Sequence, residues 1–381
     1  MYISPKGILM ERKWKWSRAA SLCLMAGALF PMAASADDWD ISGFGTLGAG
    51  KALSGVKGSY MGYECPCYIA NYPDVGLYRS SWSASPDTRG GVQGTYHLNK
   101  DLSATAQATI NAANGGKAAI DWAYGSYNVN GEWTIQAGRK RLPLFGYSDF
   151  FQVGYAYPWI RPPGDLYGWQ IVAYNGANAM YRHTIGDVSI TTNVWMGTET
   201  DTNNQMLGKV YYGEKVKERW KGILGGYVEA GFDWGSIRAV VMENKVDRWL
   251  GEGGTYRNNK DGVKQQFYGL TVNIDKNDWV LRTEFNRFVR PDPRDVYSVY
   301  FVGAGYRFGD FLPMLTYSSF KENFPSDTSA NENHRTVSAS LRWDFRPNTA
   351  LKVQYDIFKD RSAFPFVGNS KALAVSLDYV F

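Results

Sequence analysis

The amino-acid sequence predicts an all-β fold, a closed antiparallel transmembrane β-barrel of sixteen strands. The first observation is the C-terminal stretch, where apolar residues alternate with small or polar ones: Leu373, Val375, Leu377, Tyr379 and Phe381. This two-residue period is that of a β-strand with one apolar face. The second is that similar segments of about ten residues recur along the chain, the length at which a tilted strand crosses a bilayer. The third is composition, since 41 Gly, 26 Tyr, 19 Phe and 14 Trp with only 20% charged residues suit a polar lumen inside an aromatic-rich wall.

Residues 1–36 are predicted to be a cleaved secretory signal peptide, and residues 37–381 the barrel domain. Four basic residues precede an apolar run at 19–33, and the small residues 34–36 provide a cleavage site. An uncleaved anchor is the alternative, although the run is short for a membrane helix. The signal holds five basic residues and one acidic residue, so the mature chain has 36 basic against 35 acidic residues. This balance excludes a nucleic-acid partner, which needs a clustered basic surplus.

Strands must make any membrane crossing, because no apolar run after the signal approaches the roughly 18 residues of a spanning helix. The alternation is weakest in 119–129 and in 311–320, where Pro313 removes a ladder hydrogen bond. The predicted strands number sixteen, an even number as in bacterial barrels, and lie at 39–51, 88–98, 102–113, 119–129, 133–141, 178–185, 188–196, 223–232, 236–243, 266–274, 279–290, 297–308, 311–320, 335–345, 350–359 and 370–381.

Short turns alternate with long loops between these strands. The turns are rich in Asn, Asp, Gly and Pro, which tolerate positive φ or preset a turn. This asymmetry is typical of barrels with short periplasmic turns and long extracellular loops. The turns lie at 99–101, 130–132, 186–187, 233–235, 275–278, 309–310 and 346–348.

Four sequence features extend the interpretation to a family. They are Ile41-Ser42-Gly43-Phe44-Gly45 in the first strand, residues 87–94 (DTRGGVQG) around the second, Gly138-Arg139 at the end of the fifth, and the terminal Phe381. With these features the chain resembles the general porins of Gram-negative outer membranes over residues 37–381. The resemblance implies a trimeric, water-filled diffusion channel whose third extracellular loop folds inward. The second loop, 114–117, is shorter than the loop with which such porins commonly latch onto a neighbouring subunit.

The third loop, predicted at 142–177, is the most distinctive segment. It concentrates aromatic residues and four prolines, and its charged residues are Asp149, Arg161 and Asp165. A loop this long and apolar suits the lumen better than extracellular water. A packed lid or a protein contact is the alternative.

The predicted pore constriction comprises Asp149, Arg161 and Asp165 on this loop, facing Arg89 and Arg182 on the wall. Three more basic residues, 139–141, lie at the base of the loop. Because clustered Arg and Lys favour anions, we expect a weak anion preference.

Cys65 and Cys67 are the only cysteines of the predicted mature chain. In an oxidising compartment they are expected to form a local disulfide rather than a metal site. His97, His183 and His334 lie on three different strands and are interpreted as girdle or lumen residues. No nucleophile and base lie at an interpretable spacing, so we predict no catalytic, cofactor or metal site and no enzyme activity.

Charged residues are also dense in the predicted fourth and fifth extracellular loops. The fourth spans 197–222, and the fifth carries Lys245, Arg248, Arg257, Lys260 and Lys264. These residues either bind lipopolysaccharide phosphates through charge-assisted bonds or form ordinary solvated loops.

The sequence therefore predicts an outer-membrane porin through which ions and small hydrophilic solutes diffuse passively. A substrate-preferring channel, with the aromatic third loop stacking on a ring-bearing or sugar solute, is the alternative within transport. An outer-membrane enzyme or a structural or adhesive barrel represents a different class. The expected partners are outer-membrane lipid and lipopolysaccharide, the assembly machinery, for which Phe381 and Tyr379 form the signal, and two further copies in a homotrimer.

Overall fold

The structure is a computed structural model that describes residues 38–60, 63–251, 256–364 and 366–381. The predicted signal peptide lies outside the described residues. Sixteen strands form one closed antiparallel barrel, as the sequence predicts. In chain order they are β1 (Trp39–Gly55), β2 (Arg89–His97), β3 (Leu102–Asn111), β4 (Ala118–Asn128), β5 (Trp133–Arg141), β6 (Ala173–Ile185), β7 (Val188–Asp201), β8 (Val216–Phe232), β9 (Gly235–Leu250), β10 (Arg257–Lys276), β11 (Trp279–Pro291), β12 (Arg294–Tyr306), β13 (Phe311–Asn323), β14 (Asn333–Arg346), β15 (Thr349–Asp360) and β16 (Ser370–Val380).

The first and last strands close the barrel. β1 pairs with β16, with Phe44 opposite Val380, and the backbone N–H groups of Gly43 and Phe381 each donate to the other's carbonyl at 3.0 Å. Every other strand pairs with its neighbours in the chain. The two end strands therefore cover each other's edge, which would otherwise offer unpaired backbone groups to another chain.

Most strands have bounds within a few residues of those predicted, but β8, β9 and β10 are longer. β8 starts at 216 instead of 223, β9 ends at 250 instead of 243, and β10 starts at 257 instead of 266. The assignment of these residues to loops 4 and 5 is therefore wrong. Apolar alternation stops where the apolar band of the wall stops, whereas strand pairing continues beyond it.

The outer face of the barrel carries a band of exposed apolar side chains. In β14, Val337, Leu341 and Trp343 are 44, 40 and 38% exposed, whereas the intervening Ser338 and Arg342 are 7 and 4% exposed. A water-facing surface rarely exposes so many large apolar side chains. The pattern is that of a barrel wall in hydrocarbon. Within the described ranges, none of the helices is both long and apolar enough to span a membrane.

Two apolar clusters lie inside the barrel. The first joins the third loop, residues 142–172, to the inner faces of β6–β13. The second lies at the mouth and joins four loops: loop 1 (56–88), loop 3 (142–172), loop 4 (202–215) and loop 8 (361–369). Cys65 and Cys67 form the predicted disulfide. Loop 1 also contains two short hairpins, made of Gly58–Tyr60 with Tyr63–Cys65 and of Tyr68–Asn71 with Gly76–Tyr78.

Replacing Phe381 with Ser is expected to lower the folded fraction. A Cβ on Gly43 would lie 2.4 Å from the Phe381 ring, and this ring stacks on Tyr379 at a centroid distance of 6.1 Å, so Phe381 packs against the closing strand. The measurement is the heat-modifiable gel mobility of protein refolded into lipid vesicles. Phe345→Ser, which removes an outward aromatic side chain 44% exposed and away from the seam, is the control. Equal folding of the two variants would contradict an assembly role for the C-terminal aromatic residues.

Candidate functional site

Loop 3, residues 142–172, lies inside the barrel and packs against its inner wall. Buried side chains of the inner wall hold it there. Arg238 of β9 donates to the Pro143 carbonyl at 2.8 Å. Lys352 of β15 donates to the carbonyls of Gly154 and Trp159 at 2.6 and 2.8 Å. These contacts hold the loop against β9 and β15.

The composition of loop 3 explains this path, because its aromatic side chains pack on one another and on apolar side chains of the inner wall. The Trp169 ring stacks on Phe288 with centroids 3.6 Å apart. The Trp159 ring meets Phe301 edge-on at 5.4 Å, and its indole N–H donates to Thr316 at 2.8 Å. Trp159 and Trp169 are 1 and 3% exposed. Folding into the barrel therefore buries apolar surface that would be in contact with water if the loop pointed outward.

Arg161 is the first of three polar anchors. Its Nη2 donates to Asp356 of β15 at 2.7 Å, and its Nη1 donates to Asp87 of loop 1. The Tyr78 hydroxyl donates to the same Asp87 carboxylate at 2.5 Å. Burial opposes the charge of Arg161, but the two carboxylates outweigh burial and raise the pKa of Arg161 above its ordinary value. One cation thus joins loop 1, loop 3 and the wall.

Asp165, in the short helix α1 (Gly164–Tyr167), is the second anchor. It accepts a hydrogen bond from Ser318 and contacts Nδ1 of His334, whose Nε2 lies 2.8 Å from Glu332. Burial opposes ionisation of Asp165, but His334 and the hydrogen bonds outweigh it and hold the pKa of Asp165 below its ordinary value. Ser318 and His334 are each 1% exposed and both bind the carboxylate. The arrangement therefore lacks the exposed nucleophile and the nucleophile–base contact that hydrolysis needs.

Arg89 of β2 is the third anchor. Its Nε donates to the Gln152 carbonyl at 2.9 Å, and its Nη2 donates to the Tyr157 hydroxyl and to the Ile160 carbonyl, the latter at 3.2 Å. Its guanidinium group donates hydrogen bonds to the loop, and the side chain is 8% exposed. Arg89 is therefore a structural contact between the second strand and the loop.

These contacts correct the predicted roles of three residues. Arg89, Arg161 and Asp165 were expected to line an opening, but they are 8, 6 and 3% exposed and hold the loop to the wall. Strand parity identifies side chains that point inward, as Arg89 does. It does not indicate which of them the loop covers, because that depends on the path of the loop.

Asp149 and Arg182 lie apart from the anchors. Asp149 is half-buried on the loop, and Arg182 is exposed on β6. The charges of both act on Lys140 of β5. Lys140 Nζ lies 4.8 Å from the Tyr124 ring centroid and donates to Asn178 at 3.2 Å. The inner faces of β4–β6 thus present two cations and polar groups to a loop carboxylate.

The sequence predicted three basic residues at the base of loop 3, and the structure separates their roles. Arg139 binds Glu199 at 2.9 Å and Arg141 binds Asp121 at 2.8 Å. Gly138, at φ 141°, lies immediately before them in a conformation that favours glycine. Lys140 is the one of the three that faces Asp149 and Arg182.

Three further half-buried side chains face the lumen and were not predicted from the sequence: Gln93, Tyr124 and Gln136. The signal that points to them is their inward parity on β2, β4 and β5. Within the part of the chain that the structure describes, no group of three or more His, Cys, Asp or Glu side chains is arranged to hold a metal ion.

Comparison with known proteins gives no match to a protein-family model and no match to a curated protein. Solved structures do match. OmpT of Vibrio cholerae, described as outer-membrane expressed, is 12% identical over 91% of this chain and 99% of that chain, with a TM-score of 0.57. OmpF of Salmonella typhi, in complex with daunomycin, is 13% identical over 90% of this chain and 97% of that chain, with a TM-score of 0.59.

An anion-selective porin from Comamonas acidovorans is 15% identical over 90% of this chain and 100% of that chain, with a TM-score of 0.53. At such identities the likeness concerns the fold. The chain shares the closed antiparallel barrel of these porins over nearly its whole described length.

Proposed function

We propose that the protein is an outer-membrane channel through which ions and small hydrophilic solutes diffuse passively. The observation that carries the proposal is the polar inner face of β4–β6, where Lys140 and Arg182 both lie within electrostatic reach of Asp149 on loop 3. The apolar outer band supports a position in a membrane. The porins with the same fold support an outer-membrane location.

The proposed route passes between Asp149 of loop 3 and the inner faces of β4–β6, where Tyr124, Lys140 and Arg182 lie. A sixteen-stranded barrel is wide enough to leave an aqueous channel, and the wall offers amides, hydroxyls and cations to a hydrated solute. The protein performs no chemistry in this proposal, because the Ser318, His334 and Asp165 group is buried and satisfied.

Single-channel recording in planar lipid bilayers tests the proposal. Purified, folded protein is expected to insert and to give discrete conductance steps. A folded, membrane-inserted barrel without conductance would overturn the proposal and favour an enzyme or a structural barrel.

The expected ion preference is weakly for anions, and its expected carriers are now Lys140 and Arg182 rather than Arg89. Asp149 offsets them in part, so the preference is weak. Lys140→Ala combined with Arg182→Ala should shift the reversal potential across a salt gradient towards that of a cation-preferring channel.

The matched control for this pair removes two cations from the outer face, Lys359→Ala with Lys371→Ala, both exposed. It should leave the reversal potential unchanged, because the barrel wall separates these charges from the route. Cation preference in the wild type, or an equal shift in the control, would contradict the assigned lining residues.

A substrate-preferring channel has less support than the sequence suggested. Most aromatic side chains of loop 3 are buried against the wall, for example Tyr147 at 5% and Tyr157 at 1% exposure. Phe150, Phe151 and Tyr155 remain half-buried. Stacking on a ring-bearing or sugar solute would depend on these three.

The proposal includes assembly as a homotrimer, which the porin resemblance implies. One Vibrio cholerae OmpT structure of similar fold is described as a trimer form. The mass of the protein–detergent complex from light scattering would test this, and a monomer mass in mild detergent would contradict it.

A further inference from the structure

Three lysines on neighbouring strands lie directly opposite one another on the outer face of the barrel. Lys221 of β8 pairs with Lys245 of β9, and Lys245 pairs with Lys264 of β10. Side chains paired in this way have Cβ atoms roughly 5 Å apart, and like charges in such positions destabilise a sheet. The arrangement therefore needs a compensating partner.

The three lysines form a row at the border of the apolar band that lies away from the periplasmic turns. Lys245 is exposed between the buried Asn244 and Val246, which identifies its side of the strand as the outer one. Towards the periplasmic turns, the outward positions of the same strands become apolar: Leu224, Val241 and Tyr268 are 50, 55 and 46% exposed. A molecule that contacts both the row and the band must be amphiphilic.

Two carboxylates neutralise only part of this positive charge. Asp247 accepts from Arg219 at 2.5 Å and from Lys221 at 2.9 Å, and Glu243 lies 3.2 Å from Lys264. Lys217 and Arg219 also lie over the Trp249 ring, at 4.9 and 5.2 Å from its centroid. We name this set the basic patch; it has a surplus of three positive charges and comprises Lys217, Arg219, Lys221, Lys245 and Lys264.

We propose that the basic patch binds the headgroup of a lipid that carries more than one phosphate in the outer leaflet of the membrane. The row spans two strand spacings, roughly 10 Å, so it can reach two phosphate groups of one headgroup. Lysine ammonium groups form charge-assisted hydrogen bonds with phosphate oxygens. The acyl chains lie along the band below, against Leu224, Val241 and Tyr268. Phosphate relieves the repulsion between the paired lysines.

The inference rests on the proposed outer-membrane location but not on conductance. The probe is diphosphoryl lipid A, added in detergent to the folded full chain, with binding measured by native mass spectrometry. The variant combines Lys221→Gln, Lys245→Gln and Lys264→Gln. Each lysine near a phosphate-bearing surface raises the binding constant about fivefold. The triple variant is therefore expected to bind about 100-fold more weakly.

A matched control variant removes three exposed outward lysines elsewhere on the barrel: Lys321→Gln, Lys359→Gln and Lys371→Gln. It carries the same change in net charge and is expected to bind as the wild type does. Monophosphoryl lipid A is expected to bind the wild type more weakly than the diphosphoryl form. Heat-modifiable mobility confirms that each barrel is folded, and the single substitution Lys245→Glu provides a second test with the smallest perturbation.

The proposal is overturned if the two triple variants bind alike, or if the monophosphoryl and diphosphoryl lipids bind alike. It is also overturned if soluble pyrophosphate competes at the same concentration as the lipid, since the patch would then recognise phosphate without a lipid. The binding measurement uses the folded barrel and does not depend on its conductance. A barrel that binds lipid but passes no ions would therefore defeat the proposed channel function and leave this inference standing.

Discussion

Replacing Arg161 with Ala is expected to loosen loop 3 and to destabilise the protein by about 3–5 kcal/mol, the cost of leaving buried charges unpaired. The variant leaves two carboxylates, Asp87 and Asp356, whose side chains are 1 and 0% exposed, without their cation. The barrel ladder does not depend on this anchor, so the strands should stay closed. The loop is then expected to move, which would appear as noisier and larger current steps.

Thermal unfolding in detergent and limited proteolysis of loop 3 measure this effect. Arg361→Ala, which removes an exposed arginine at the same end of the barrel, is the control and should behave as wild type. Arg161→Met with Asp87→Asn and Asp356→Asn should recover part of the stability, because no ionised group of the cluster then remains buried without a partner. If Arg161→Ala unfolds at the wild-type temperature and loop 3 is cleaved at the wild-type rate, the other anchors suffice to hold the loop.

Replacing residues 150–161 with a short Gly-Ser link is expected to raise single-channel conductance at least about twofold, because a sixteen-stranded barrel leaves an aqueous channel once nothing fills it. The wall charges that now bind this segment, such as Lys352 and Arg342, would face water instead. The deletion also removes Arg161 and leaves Asp87 and Asp356 without their cation, so heat-modifiable mobility must first show that the variant is folded.

The control for the deletion shortens loop 7, the segment 324–332 between β13 and β14, at residues 325–330, most of which are exposed. It should leave the conductance at the wild-type value. Unchanged conductance in a folded 150–161 variant would show that the route does not pass beside loop 3. A rise of equal size in the loop 7 control would show that mouth width, rather than loop 3, limits the current.

The strands could be predicted from sequence because their signals are local. β5, Trp133–Arg141, has the predicted bounds, and β14, Asn333–Arg346, differs by at most two residues at either end. In such strands every second side chain meets hydrocarbon and the others meet a polar interior, so the sequence alternates sharply. The turns between them use residues that act within two to four positions.

The extended arms of β8–β10 could not be predicted in this way. Above the apolar band the outward positions carry charged side chains such as Lys221 and Lys245, whereas apolar residues such as Trp220 face inward. The outward apolar alternation that marks the wall is therefore lost although the pairing continues. Lys221, Lys245 and Lys264 therefore looked like loop residues. Their alignment is a property of the register between strands, which no single segment contains.

The candidate site likewise combines features that the sequence predicts with contacts that only the tertiary structure shows. The sequence alone determined a closed sixteen-stranded barrel, an aromatic third loop and the side of the wall to which Arg89 and Arg182 point. Only the tertiary structure decided that Arg161 binds Asp87 and Asp356, which lie 74 and 195 residues away in the chain. Contacts at such separations leave no local pattern, because they depend on the path of the loop through the lumen. That path decides whether an inward charge is a buried anchor, as Arg89 is, or faces open lumen, as Arg182 does.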